Sequence, residues 1–308
     1  MTVKPPGNLS HLERLIDTWS RSDDEAEATA GRLRRLVAVS VLASMLDALS
    51  VDGEPRLAFK GGASMELRFG PSARGSKDVD ALVNIGFDDA FAEIAERLAT
   101  GWEDFTGVLG DRTEITRAGI TPAPQRCVIK LRYKTKPFAS VPFELGRAEA
   151  GSFSLIEQIP NAIDMSRVQL GPMDDVAVLG VHYQIAQKLH ACTEIPNEGA
   201  NPRAHDLYDI MLIADLARAD SLNKTLAACV DTFTYRNKHG WPPALTDWPD
   251  WPAIWDGLDL PDTARITYHE ARAGVTALIA EITKAQHDAR RQLATIDGLP
   301  VGPKAVGE

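Results

Sequence analysis

Between Phe59 and Val83 the chain reads FKGGASMELRFGPSARGSKDVDALV, and the residues in it best suited to chemistry are Asp78 and Asp80. They stand two positions apart in a segment of strand character, so side-chain alternation predicts both carboxylates on one face of a sheet. Carboxylates that close repel one another unless one is protonated or a cation bridges them. A hard divalent ion, magnesium or manganese, bound through oxygens and sharing its shell with phosphates, is the natural bridge. An acidic pair of this kind is also common on the polar face of an ordinary edge strand, so the neighbours have to decide. Gly61 and Gly62 fall between a predicted strand, RLAFK, and a predicted helix, ASMELRF. Free amides and the helix dipole at such a junction favour phosphate, although a tight turn needing positive φ is reason enough for glycine. Lys60 and Lys77 add positive charge, and Ser76 a hydroxyl. The spacing of a Walker phosphate loop is absent. Glu144, in VPFELG, is a candidate third carboxylate and equally a surface glutamate. Glu149 lies close by, and a one-residue slip would turn Glu144 to the opposite face.

A second set of candidates sits in QIAQKLHACTE and NPRAHDLYDIMLI. Helical spacing predicts Ile185, Leu189 and Cys192 inward, with Lys188 to one side. Such a lysine is a compact cation for phosphate or a solvated surface charge. Asp206 and Asp209 are one turn apart and share a face. Asp206 fits the first turn of a helix, where the dipole favours a carboxylate. Asp209 sits in an apolar run, and metal ligand, general base and a group orienting Lys188 all remain open for it. Tyr208 beside it is a candidate for contact with base or ribose. His182, His190 and His205 lack ligand spacing on one helix. In RCVIKLRYKTK, Arg126, Lys130, Arg132, Lys134 and Lys136 share one parity, and Cys127, Ile129, Leu131 and Tyr133 the other. That predicts a strand with a basic face over an apolar one, either a lysine-protected edge or a track for RNA phosphates.

The elements expected to hold these groups follow from the wider pattern. SHLERLIDTWSRS predicts a short amphipathic helix with Ser10 as its cap. A longer helix follows over about Asp24 to Leu49, with Arg32, Arg34 and Arg35 on a solvated edge. KDVDALVNI predicts a strand, DDAFAEIAERLATG a helix ending at Gly101, and RCVIKLRYKT with SVPFELG a hairpin joined through KPFA. From DVAVLGVHYQIAQKLHACTE onward the spacing turns helical. The expected class is α+β: residues 1–150 an α/β domain with N-terminal helices, 151–296 a mainly helical domain completing the site, and 297–308 a flexible tail. The three cysteines, Cys127, Cys192 and Cys229, are too far apart and odd in number for a disulfide framework or a zinc knuckle. No apolar stretch approaches the ~20 residues of a membrane span, so no membrane partner and a cytoplasmic location are expected. The net charge of −10 argues against general nucleic-acid binding, yet Arg112 to Lys136 holds seven basic residues against one acidic, Glu114. That local excess is where a polyanion would dock.

The motifs K-G-G…S-x-D-x-D, in FKGGASMELRFG and SKDVDALV, and K-L-x-A…R-x-x-D-L-x-D, in QKLHACTE and RAHDLYDIMLI, resemble those of the AbiEii/MenT family of nucleotidyltransferase toxins. The likeness runs from Phe59 to Ile213, and FTYRNKHGWPP is a weaker echo of the same family. It implies a polymerase-β-like nucleotidyltransferase core followed by helices, with a nucleoside triphosphate as substrate. It further implies a toxin partnered by a cognate antitoxin and, for the MenT branch, addition of nucleotides to the 3′ end of tRNA. In that reading Asp78, Asp80 and Glu144 hold the metal, and Lys188 and Asp209 join the two aspartates in catalysis. Lys60, Gly61, Gly62, Ser76, Lys188 and Asp206 surround the nucleotide. The loop GPSARGS is long for the family pattern, which bears on nucleotide access. A protein or small-molecule hydroxyl, Ser76 itself included, is the competing acceptor. A nucleotide-binding scaffold without turnover is the reading outside catalysis.

Overall fold

The computed structural model describes residues 4–22, 28–47, 49–51, 53–116, 122–261, 264 and 266–296. The chain divides into two compact units, the first reaching Gly180 and taking in Ala253–Ile266, the second comprising Val181–Pro252 and the chain from Thr267 onward. The expected tail at 297–308 and the expected helix start at Asp24 lie outside the described residues, as does Arg117.

In the first unit, α1 (Leu9–Trp19) is capped by Asn8, whose side chain accepts from the His11 amide, so Ser10 lies inside the helix rather than at its cap. Its buried residues Leu12, Ile16 and Trp19 form one stripe. Helix α2 (Ala30–Asp47) has no such stripe. Leu36 to Ala43 is an unbroken buried run, and Arg32 is buried with it. A two-stranded ribbon, β1 (Ser50–Val51) with β2 (Glu54–Pro55), leads into the main sheet.

That sheet comprises β3 (Leu57–Lys60), β4 (Val79–Val83), β5 (Phe105–Leu109), β6 (Thr113–Glu114), β7 (Gln125–Tyr133), β8 (Lys136–Arg147), β9 (Ile156–Ile159) and β10 (Val176–Leu179). The order is β5-β7-β8-β4-β3-β10-β9, with β6 on β7. β4 runs parallel to β8 and β3 to β10, and the other pairs are antiparallel. Helix α3 (Gly61–Phe69) joins β3 to β4, and α4 (Phe87–Thr100) joins β4 to β5. Asp88 and Asp89 lie at the positive end of α4, which closes where the Gly101 amide bonds the Arg97 carbonyl. One sheet face, with Phe59, Val79, Ala81, Ile129, Phe143 and Leu145, shares a single core with α2 and α4.

The expected α+β class is the one the chain adopts. β9 and β10 carry the sheet past residue 150, and VAVL, expected within a helical run, is the fully buried β10. Four apolar residues before a glycine suit either state until a neighbouring strand decides. The second unit is helical: α5 (Val181–Thr193), α6 (His205–Asp220) and α7 (Leu222–Arg236) precede α8 (Trp251–Asp256), where the chain passes back to the first unit, and α9 (Tyr268–Ile296). α5 packs on α6 and α7, and α9 on the same two helices. Among the described residues no helix is long and apolar enough to cross a membrane.

Candidate active site

Four ionisable side chains line up across four neighbouring strands. Lys60 of β3 is opposite Asp80 of β4, Asp80 opposite Glu144 of β8, and Glu144 opposite Arg126 of β7. Directly opposed residues share a face, so this charged row lies on the side of the sheet away from Phe59 and Leu145. Asp78 sits in the bend just before β4 rather than within the strand. Arg126 donates through both Nε, at 3.0 Å, and Nη2 to one oxygen of Glu144. The Glu144 hydrogen bond and charge raise the Arg126 guanidinium pKa, and Asp78 and Asp80 act in the same sense. Glu144 is only 5% exposed, so the guanidinium neutralises a carboxylate that burial would otherwise penalise.

The two glycines have a packing reason. Gly61 adopts φ 62°, and a Cβ there would meet Asp80 Oδ2 at 2.5 Å. At Gly62 a Cβ would meet Ser76 Oγ at 2.5 Å and Ser76 Cβ at 2.7 Å. The acidic strand and the Ser76 loop therefore both close onto the N-terminus of α3, which no side chain caps.

Sequence reasoning missed what holds that loop. Arg35 reaches both carboxylate oxygens of Glu66 at 3.1 and 3.2 Å and also donates to the Asp78 carbonyl at 2.9 Å. The Ser76 amide donates to Glu66 at 3.3 Å, and the Ser76 hydroxyl to the Asp78 carbonyl at 3.1 Å. Arg32 pairs with Asp259 at 3.1 Å and donates to the Ala73 carbonyl, while the Gly75 amide bonds the Asp259 carbonyl at 2.9 Å. Arg34 pairs with Glu13 at 2.6 Å. The three arginines of α2 are thus not a solvated edge. The signal was present: a helix apolar on all sides is a buried one, and arginines in it must find partners. Burial raises the Glu66 carboxyl pKa in spite of Arg35.

The basic strand is shorter than its parity suggested. Arg126, Val128, Lys130 and Arg132 point outward from β7, on the face that carries Asp80 and Glu144. The β7–β8 register shifts between Leu131 and Arg132. Lys134, at φ 53°, sits in the hairpin turn and bonds the Gly7 carbonyl at 3.1 Å. Lys136 opens β8 opposite Tyr133, so neither lysine continues the face. Thr106 and Val108 of β5 extend it on the other side, opposite Arg132 and Lys130.

In the second unit Lys188 is buried rather than set to one side, because α5 is buried on almost every face. Its ammonium lies 3.1 Å from Asp206 and 2.7 Å from Asp209, both buried on α6. The geometry suits Asp209 to orienting Lys188. Tyr208 is buried beside it. His182 bridges Thr225 and Asp220 at 2.8 Å each, the His190 ring meets Phe233 edge-on and His239 at a tilt, and His205 lies 3.7 Å from Asp206.

Among the described residues no three carboxylate, imidazole or thiol groups stand close enough to hold an ion together. The donor chemistry nevertheless fits a hard divalent cation: Asp78 and Asp80, with Glu144 one strand away, make a field that already draws a guanidinium.

A family model described as the nucleotidyl transferase AbiEii toxin of type IV toxin–antitoxin systems matches residues 45–298. Among solved structures, MenT4, a nucleotidyltransferase toxin from Mycobacterium tuberculosis, is similar at 19% sequence identity, covering 88% of this chain and 87% of that one, with a TM-score of 0.48. No curated protein sequence matches.

Proposed function

The chain belongs to the AbiEii family of nucleotidyltransferase toxins of type IV toxin–antitoxin systems, and from that premise we propose that it transfers a nucleoside monophosphate from a nucleoside triphosphate to RNA, most fittingly to the 3′ end of tRNA, so blocking translation. The observation that carries the RNA acceptor is that the Asp80–Glu144 row and the outward Arg126, Lys130 and Arg132 of β7 occupy one continuous face. A polyanion laid along that strand is led to the carboxylates.

Asp78 and Asp80 are the residues proposed to hold Mg2+, or Mn2+, and Glu144, opposite Asp80 on the next strand, is the third ligand proposed to join them once an ion draws the carboxylates together. When bound, such an ion lowers the pKa of an attacking hydroxyl and neutralises charge on the triphosphate. The chain's own groups do the positioning on which phosphoryl transfer chiefly depends. The uncapped amides at Gly61 and Gly62, with Lys60 beside them, face the phosphates. Ser76 offers its hydroxyl there, held by the Asp78 carbonyl. Lys130 and Arg132 bind the acceptor backbone without reading bases. In the second unit Lys188, its ammonium kept in place by Asp206 and Asp209, is proposed as a phosphate-binding group in its own right. A cognate antitoxin is the expected protein partner. The free cysteines are buried and suit a reducing cytoplasm.

The test incubates the purified protein with total tRNA and each labelled nucleoside triphosphate in turn, with Mg2+ or with chelator. Mg2+-dependent label on RNA, abolished in a folded Asp80→Ala variant, is the expected result. Wild-type incorporation by that variant would sink the metal assignment. Label on the protein would make Ser76 the first acceptor to examine, and bound nucleotide without label anywhere would favour a scaffold.

A further inference from the structure

Beyond the charged row, the outward face of the sheet continues in steps across β5, β7 and β8. Next to Arg126 and Glu144 come Gly110, Val128 and Pro142, then Val108, Lys130 and Ser140, and then Thr106 and Arg132. Val108 and Val128 are the large apolar side chains that the first unit exposes among the described residues, 58% and 39% open to solvent. They are diagonal neighbours on one face. Pro142 is directly opposite Val128, and Gly110, whose amide bonds the Val128 carbonyl at 2.8 Å, has no side chain to shield it. An apolar side chain exposed singly is ordinary, whereas a contiguous group set between cations marks a surface that is covered in use. Arg126 lies on one side of the group, with Lys130 and Arg132 on the other. Two residues along β7 or β8 separate it from Arg126 and Glu144, about 7 Å at the rise of a strand. The occupant is therefore anionic, carries apolar faces between its charges, and reaches the carboxylates. An unpaired nucleic-acid strand has that make-up, phosphates alternating with flat rings whose faces are free. A duplex does not, because its base faces are stacked inside and it would set phosphates on the valines.

We propose that Val108, Val128 and Pro142 are a platform for the bases of an unpaired RNA strand, held by Lys130 and Arg132 at its phosphates, so that the chain selects a single-stranded end over a duplex one. The inference rests on RNA as the acceptor and names the feature of it that is recognised. Aliphatic side chains meet the ring faces and leave the hydrogen-bonding edges unread, so the selection is for unpaired bases rather than for a sequence. The cations hold phosphates of either form; the apolar group is what tells the two forms apart.

Fluorescence anisotropy without nucleotide or divalent ion tests this on the full chain, across a range of monovalent salt. The probes are a labelled single-stranded RNA, the same strand annealed to its complement, and the same strand with abasic sites at its 3′ end. Replacing both Val108 and Val128 by serine is expected to weaken the single strand about tenfold at every salt. The slope of log affinity against log salt should stay unchanged, because no charge is lost. Wild type should lose a similar factor on the abasic strand, and the serine variant should then lose less than about twofold more, on that strand as on the duplex. Val128→Phe offers a larger flat face and should tighten the single strand about fivefold, a gain that a folding defect cannot imitate. Wild-type binding of the single strand by the serine variant, or an equal loss on the abasic strand, would overturn the inference while leaving RNA as the acceptor. No RNA affinity in wild type at low salt would instead remove the acceptor reading, and the inference with it. Sedimentation of the same proteins tests a rival occupant: a wild-type dimer that the serine variant dissolves would give this face to a second copy of the chain and overturn the inference too.

Discussion

Gly62 is the second residue of α3, where alanine is ordinarily the better helix former by about 1 kcal/mol. Here Ser76 decides the sign. A Cβ at position 62 would lie 2.5 Å from Ser76 Oγ and 2.7 Å from Ser76 Cβ, whereas carbon atoms in contact rest at about 3.5–4.0 Å. The hydroxyl can rotate away, but the Cβ moves only with its backbone. That backbone is tied to Glu66 at the Ser76 amide and to Arg35 at the Asp78 carbonyl. The loop must retreat by about an ångström, against an overpacking cost of about 1–3 kcal/mol. Net of the helix gain, Gly62→Ala is expected to lose roughly 0–2 kcal/mol of stability, read from urea unfolding. Activity should suffer far more. Asp78 moves with Ser76, and about 1 Å of misplacement at a reacting group costs on the order of a hundredfold in rate. Single-turnover, Mg2+-dependent incorporation of labelled nucleotide measures this on the same preparation. Ser76→Gly removes both clashing atoms, so adding Gly62→Ala on that background should leave the rate within about threefold of Ser76→Gly alone. A hundredfold loss on both backgrounds, or no loss in the single variant, would refute the packing argument.

Glu66→Ala leaves Arg35 without its buried partner and is expected to cost about 3 kcal/mol in urea unfolding; a loss of a few tenths would mean that the pair does not hold the loop. Burial raises the Glu66 pKa, so this carboxyl contributes stability that is present below the ordinary carboxylate range and lost as pH rises through the raised value. The stability of wild type relative to Glu66→Gln should therefore fall across that window, and a rise would contradict the burial account. Replacing Lys130 or Arg132 by glutamine should weaken RNA binding and lower the slope of log affinity against log salt by about 0.7–0.9 per charge removed, and an unchanged slope would take β7 off the RNA path.

What the sequence disclosed about the site is what short-range pattern can carry. The junction at Gly61 and Gly62 is visible because strand, glycine pair and helix are contiguous, and β7 because polar and apolar residues alternate along it from Arg126 to Tyr133 with the single exception of the outward Val128. Asp80 is legible for the same reason, whereas Asp78 falls just outside the strand expected to hold it. Glu144 could be suspected, but its place opposite Asp80 depends on the parallel β4–β8 register, which no local feature sets. The Arg35–Glu66 and Arg32–Asp259 pairs were invisible on the same ground, since each joins residues from separate elements. Lys134 misled because parity was counted through a turn. The position of the Lys188 side chain was misjudged because a single apolar stripe was assumed for a helix buried all round.

The clasp at Asp259 has a bearing on the birth of the molecule. Its carboxylate and carbonyl secure Arg32 and Gly75, just ahead of Ser76 and Asp78, yet it belongs to a segment that returns to the first unit only after α5, α6 and α7 have been made. At ~5–20 residues per second a ribosome needs roughly 10–40 s to travel from Asp78 to Asp259. Throughout that interval the partners that Arg35 and Glu66 give Ser76 and Asp78 are already made, whereas the clasp on Arg32 and Gly75 is not. A chain released early by a stalled or broken message never acquires the fastening. The order of translation thus leaves this last fastening of the loop until most of the chain has been made.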